Sequence, residues 1–361
     1  MIQMVRDILD LFRKEKLYLF LLIGIILFFL LFTLFQRKYR ANEPLDPRKQ
    51  KIEAILKEAP QNAQQIEKKL VGRPGLRLVI QFFTVLFLSA FAYGVWLGTI
   101  DLRKIFSREE LIPKINRKLH ITWGIQEIVK FLLIFISAGI AMNLVAVFFK
   151  LVLSVPIETS DYLLIHTIVI DLAAVWIMIM FVKKSGAGTY DLSGFWFSQF
   201  PKEELWWGVR TYFLILPIFI MFLIGLVIFA SMISYEPPTH PLIEVLLEEE
   251  KLSPWTIFAS FLIACVIGPM VEETFFRGFF YPAVRKYLGV GWTAVITSMI
   301  FAGVHENLFS FIPIFFLGLV LCYLYEKRSS LISCVTLHII HNTAFIVYFF
   351  LMKSVLFSGQ G

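Results

Sequence analysis

The chain has 361 residues, 58% of them hydrophobic, and a formal net charge of +7. A soluble domain is seldom so apolar, and the apolar residues come in long runs, so the composition is that of an integral membrane protein. The Lys and Arg gather in the loops between runs, where they orient a membrane chain, and a nucleic-acid partner, which would need a basic face on a folded domain, is not expected.

In chain order, residues 1–16 set Val5, Ile8, Leu9 and Phe12 against Arg6, Asp7, Arg13 and Lys14, the pattern of an interfacial amphipathic helix. The first apolar run, Leu17–Phe35, is long enough to cross a bilayer and has no small-residue cleavage site after it, so it reads as a span rather than a cleaved signal. Residues 36–77 form a polar insertion with Pro44, Pro47, Pro60 and Pro74 and a helix-like stretch, Arg48–Leu70. It has too few apolar residues to build a core of its own. Further spans are expected over Leu78–Ile100, Ile128–Leu153, Tyr162–Val182, Trp206–Ile233, Trp255–Phe280, Trp292–Val304, Ile312–Tyr325 and Leu331–Leu351. Trp292–Val304 and Ile312–Tyr325 are short and suit tilted or partly embedded segments. The fold class is therefore all-α, a polytopic helical bundle of about eight or nine transmembrane helices. Residues 78–205 are upstream spans and 206–352 the core that carries the chemistry. Thr122-Trp123-Gly124 and Trp206-Trp207-Gly208 echo one another at span entries, which interfacial anchoring by tryptophan explains as well as duplication does.

The basic stretches Arg103–Lys118, Lys183–Lys202, Arg285–Lys286 and Lys327–Arg328 all call for the cytoplasmic side, and alternating spans allow it. The acidic segment Glu244–Glu250 then faces outward. The 36–77 insertion breaks the pattern: it carries eleven Lys and Arg, yet parity puts it outside. Either one early segment is re-entrant or the charge rule yields here.

The chemistry lies in the second half. Glu272 and Glu273 adjoin in an apolar run, and Arg277 stands one helical turn after Glu273. That leaves Glu272 without a local partner, and a free carboxylate in a dry site is a candidate general base. Phe301 to His305 closes the next run. His338 and Asn342 share one face of the last span. Any one of these groups could be polar glue between helices. Six of them on three spans point to a site, since clustered intramembrane ionisable groups mark function. Their chemistry suits amide hydrolysis: Glu272 takes a proton from water, His305 orients that water, and His338 and Asn342 donate to the oxyanion.

Other routes fit less well. A GxSG loop, a GxGD signature and an HExxH pair are all absent. A zinc ion at His305, His338 and Glu272 is a minority alternative, and otherwise no cofactor is expected. Cys265, Cys322 and Cys334 lie in apolar runs without a CxxC pair, as packing cysteines do. His166 and Asp171 read as an interhelical hydrogen bond rather than a second site.

The order EExxxR, FxxxH, HxxxN in a polytopic chain resembles the CPBP family, also called the Abi or CAAX-protease-and-bacteriocin-processing family, and is similar to the Ras-converting CAAX endopeptidases. Glu272-Glu273-Thr274-Phe275-Phe276-Arg277 is followed by Gly278, as the family usually shows. The resemblance covers about Trp206–Leu351, and the 36–77 insertion lies outside it. It implies an intramembrane glutamate protease in a bacterial plasma membrane or an endoplasmic-reticulum-like membrane. Glu272 and His305 would activate water, His338 and Asn342 would form the oxyanion hole, and Glu273, Arg277 and Phe301 would be auxiliary. The partners it implies are membrane lipids and a membrane-tethered peptide or protein, prenylated or not. The resemblance leaves the oligomeric state open. The alternatives are a non-proteolytic scaffold or bacteriocin-immunity protein on the same fold and a proton-coupled transporter, for which inverted repeats with broken helices would be expected.

Overall fold

The computed structural model describes residues 1–40, 66–67, 70–115, 121–153, 160–184, 201–235, 254–305 and 308–356. Most of the 36–77 insertion, with its Arg48–Leu70 stretch, and the Glu244–Glu250 segment lie outside the described residues. Among those described there are helices and no strands. In chain order they are α1 (Ile2–Lys14), α2 (Lys16–Arg40), α3 (Pro74–Phe106), α4 (Ile125–Leu153), α5 (Ser160–Lys184), α6 (Pro201–Met232), α7 (Pro254–Arg285), α8 (Val290–Gly303), α9 (Leu308–Arg328) and α10 (Leu331–Leu356). Eight of them, α2 to α7 with α9 and α10, are long and apolar enough to cross a membrane, while α8 is a shorter apolar helix. The chain is an all-α, multi-pass integral membrane protein. Backbone polar groups in hydrocarbon have no water to bond, so a run of this length closes its hydrogen bonds within a helix.

Helices from distant parts of the chain meet where side chains are small or a carbonyl is free. A Cβ on Gly208 of α6 would stand 2.6 Å from Ser333 O and 2.7 Å from Thr336 Cβ of α10. Close backbone approach through small residues is the main route to packing between membrane helices, where lipid is as apolar as leucine. Gly208→Ala is accordingly expected to lower stability by about 1–3 kcal/mol by forcing α6 and α10 apart. A thermal melt in detergent checks this, and an unchanged midpoint would show that the contact yields at no cost. Gly318 of α9 does the same against Ser298 of α8. Pro217 inside α6 leaves Phe213 O without its helical donor, and Gly94 of α3 packs directly against that carbonyl.

One end of the bundle is tied by polar side chains. Arg210 of α6 pairs with Asp101 of α3, both buried. Arg328, at the end of α9, donates to Glu203 and Glu204 of α6, each at 2.7 Å, and to Pro113 O at 3.1 Å. At the same end α1 lies against the bundle, with Tyr287 OH donating to Asp7 Oδ2 at 2.6 Å and Gln126 Nε2 to Asp7 O at 2.8 Å. Burial, and then the neighbouring Asp7, push the Tyr287 phenol up to about 12, so it stays a donor. The amphipathic helix read from the sequence therefore docks one face on protein, burying Leu11, and leaves Ile2, Val5 and Leu9 exposed. The loops after α3 and α9, the turn between α7 and α8 and the start of α6 share this end, as their basic residues require. Helix α2 leaves this end and α3 returns to it, each long enough to cross.

Candidate active site

Helix α7 is not a regular α-helix. Two π-helical turns, Ile263–Ile267 and Thr274–Phe280, bracket the short α-segment Gly268–Glu273 that carries both glutamates. Each π-turn runs into a proline one residue beyond its cap, Pro269 and Pro282. Proline crowds the carbonyl four residues back and supplies no N–H, which widens the preceding turn. Such turns are frequent at functional sites.

Glu273 and Arg277 are completely buried and bonded, Arg277 Nη1 donating to Glu273 Oε1 at 2.9 Å. Arg277 Nη2 donates to Gly318 O at 3.2 Å, and the guanidinium lies 4.6 Å from the Phe301 ring centroid. This joins α7, α8 and α9 around one charge. Glu273 has a second partner that the sequence did not reveal. Its Oε1 also takes a hydrogen bond from His338 Nδ1 at 2.9 Å. Because that oxygen already accepts from Arg277, the imidazole is the donor, and Nδ1 carries the hydrogen. Holding Nδ1 sets the ring so that Nε2 faces Glu272, whose Oε2 stands 3.7 Å away. Glu272 Oε2 is buried and has no hydrogen-bond partner among the described residues, although the side chain as a whole is 37% exposed.

His305, two residues beyond the end of α8, donates from Nδ1 to Phe301 O at 2.8 Å, so that in the neutral ring Nε2 is the acceptor. The Phe301 ring lies between the two imidazoles, 5.2 Å from His305 and 5.7 Å from His338. The structure thus pairs Glu272 with His338, and His305 enters the cluster through Phe301. Asn342 turns its Nδ2 to Ala264 O, in the first π-turn, at 2.9 Å. His341, next to it, packs against Phe219 and Tyr212 of α6 and takes no part. Cys322 and Cys334 are buried, as packing residues are. Among the described residues, no three His, Cys, Asp or Glu side chains are grouped as a metal ion would need.

One residue was placed differently by its sequence. Asp171 shares the α5 stripe of Ala174, Met178 and Phe181, which is buried in the core. This stripe packs on α7, and both Asp171 and Glu272 lie about three and a half turns from the basic ends of their helices. The interhelical hydrogen bond expected at this polar spot is not made by His166 Nε2, which is buried without a partner among the described residues. The five-residue spacing of His166 and Asp171 sets them on different faces of α5.

Residues 254–344 match the family model described as Type II CAAX prenyl endopeptidase Rce1-like. The UPF0177 protein YaiF of Lactococcus lactis subsp. lactis (strain IL1403) is 25% identical over 114 residues, 30% of this chain and 50% of that relative. The match thus spans half the length of that relative. No solved structure matches the chain. The family match takes in Glu272, Glu273, Arg277, His305, His338 and Asn342 on α7, α8 and α10, the residues from which the resemblance was read. Through this segment the chain is similar to the Rce1-like type II CAAX prenyl endopeptidases.

Proposed function

We propose that this protein is an intramembrane endopeptidase that hydrolyses a peptide bond of a membrane-tethered substrate with Glu272 as the base. The observation that carries this reading is the Glu272 carboxylate, with one oxygen buried and unbonded, facing His338 Nε2 at 3.7 Å. Glu273 also leaves one oxygen, Oε2, buried and unbonded, but its Oε1 is filled by Arg277 and His338 and its side chain is completely buried, whereas Glu272 is 37% exposed and within reach of water.

Glu272 takes a proton from water as the water oxygen bonds to the scissile carbonyl carbon. The carbonyl electron pair moves onto oxygen and forms the oxyanion. His305, with Nε2 free to accept, orients the attacking water. His338, held at Nδ1 by Glu273, is the first donor to the oxyanion. Asn342 is the second donor. When the C–N bond breaks, Glu272 returns its proton to the leaving amine. Glu273, Arg277 and Phe301 hold these groups in place. Membrane lipids and the tethered substrate are the partners, with a prenylated CAAX peptide as the first to try.

This chemistry needs no metal. Turnover of membrane-tethered peptides, prenylated and not, by the full chain in liposomes is expected to survive exhaustive chelation. Zinc bound one per chain, with activity lost on chelation and regained on adding zinc back, would overturn the glutamate mechanism.

A further inference from the structure

In the π-turn Ile263–Ile267 the Gly268 N–H reaches back five residues to Ile263 O. In that register the next amide would serve Ala264 O, but the next residue is Pro269, which has no N–H. A buried carbonyl left in this way needs a donor from elsewhere. Asn342 Nδ2 supplies it at 2.9 Å, from a helix 78 residues further along. The Glu272 carboxylate lies over the same turn, since a Cβ on Gly268 would stand 3.9 Å from Glu272 Oε1 and 3.1 Å from Ile263 O. A primary amide carries two N–H bonds. Committing one to Ala264 O fixes the amide plane and sets the direction of the other.

We propose that Pro269 and Asn342 form one positioning device: the proline strips Ala264 O of its backbone donor so that the Asn342 amide is held there, its second N–H aimed at the site beside Glu272. The aim of that second N–H rests on the reading of Glu272 as the base. The bracing of Ala264 O does not, and the two parts are tested separately.

Pro269→Ala restores an N–H that competes with Asn342 for Ala264 O. The variant is expected to melt no lower than the parent, while kcat falls about 10- to 100-fold, part of the cost of losing an oxyanion donor, with KM nearly unchanged. A parental kcat, or a lower Tm with normal turnover per folded molecule, overturns the device. The second measurement needs no activity. Asn342→Ala should lower Tm in the parent, where Ala264 O is left bare. It should lower Tm much less in the Pro269→Ala background, where the residue-269 N–H covers that oxygen. Equal losses in both backgrounds overturn the bracing, whatever is found for Glu272. If Pro269→Ala does not fold, Asn342→Asp replaces it: the side chain keeps its shape but has no N–H to give. Both Tm and kcat then fall, and an unchanged Tm overturns the proposal.

Discussion

Glu272→Gln is expected to lower kcat about 100- to 10,000-fold, the range a positioned general base supplies, and to leave the melting midpoint in detergent nearly unchanged. The side chain keeps its size and loses the ability to take a proton. No stabilising hydrogen bond is forfeited, because Glu272 Oε2 accepts none among the described residues. Its neighbour behaves in the opposite way. Glu273 Oε1 accepts from both Arg277 and His338, so Glu273→Gln loses two bonds in a completely buried place. Cleavage of a tethered peptide and a thermal melt on the same preparations compare the two. A larger fall in Tm for Glu272→Gln than for Glu273→Gln would reverse the division of labour proposed for the pair.

Removing Arg277 should have the largest effect on the fold. Arg277→Ala leaves Glu273 charged, fully buried and without its cation, and deprives Gly318 O of a donor. Breaking one side of such a pair typically costs about 3–5 kcal/mol, most of it from the charge left behind. The expected result is poor expression and a strongly lowered Tm. Replacing both partners with apolar residues of similar volume, Glu273→Leu with Arg277→Met, should lower stability less than Arg277→Ala alone, because no bare charge remains. If the double variant melts lower than the single one, the pair contributes net stability beyond satisfying its own burial. In either case His338 loses the carboxylate that orients it, so cleavage should fail even where the fold survives.

The elements with strong local signals were legible in the sequence. Apolar length marked the spans, because helix geometry and bilayer thickness together leave few alternatives for a run of about 20 residues. The Glu273–Arg277 pair was legible because its partners are one turn apart on one helix. The lack of a local partner for Glu272 was legible for the same reason. What escaped was every bond whose second partner lies far along the chain. His338 was read as an oxyanion donor, with no indication that Glu273, 65 residues earlier, holds its Nδ1. Asp171 and His166 were read as one polar spot, whereas Asp171 lies on the buried stripe of α5 that packs on α7.

Composition and spacing by themselves determined a multi-pass helical membrane protein and the three short motifs, since both depend on interactions within a helix or between a helix and lipid. Only the tertiary structure decided how those motifs meet. The approach of α6 to α10 at Gly208, the three helices gathered on Arg277, the pairing of Glu272 with His338 rather than His305, and the hold of Asn342 on Ala264 depend on interhelical geometry. In a bilayer no hydrophobic force chooses one helix neighbour over another, so small residues and buried polar partners make that choice. Their sequence separation is unrelated to their distance in space.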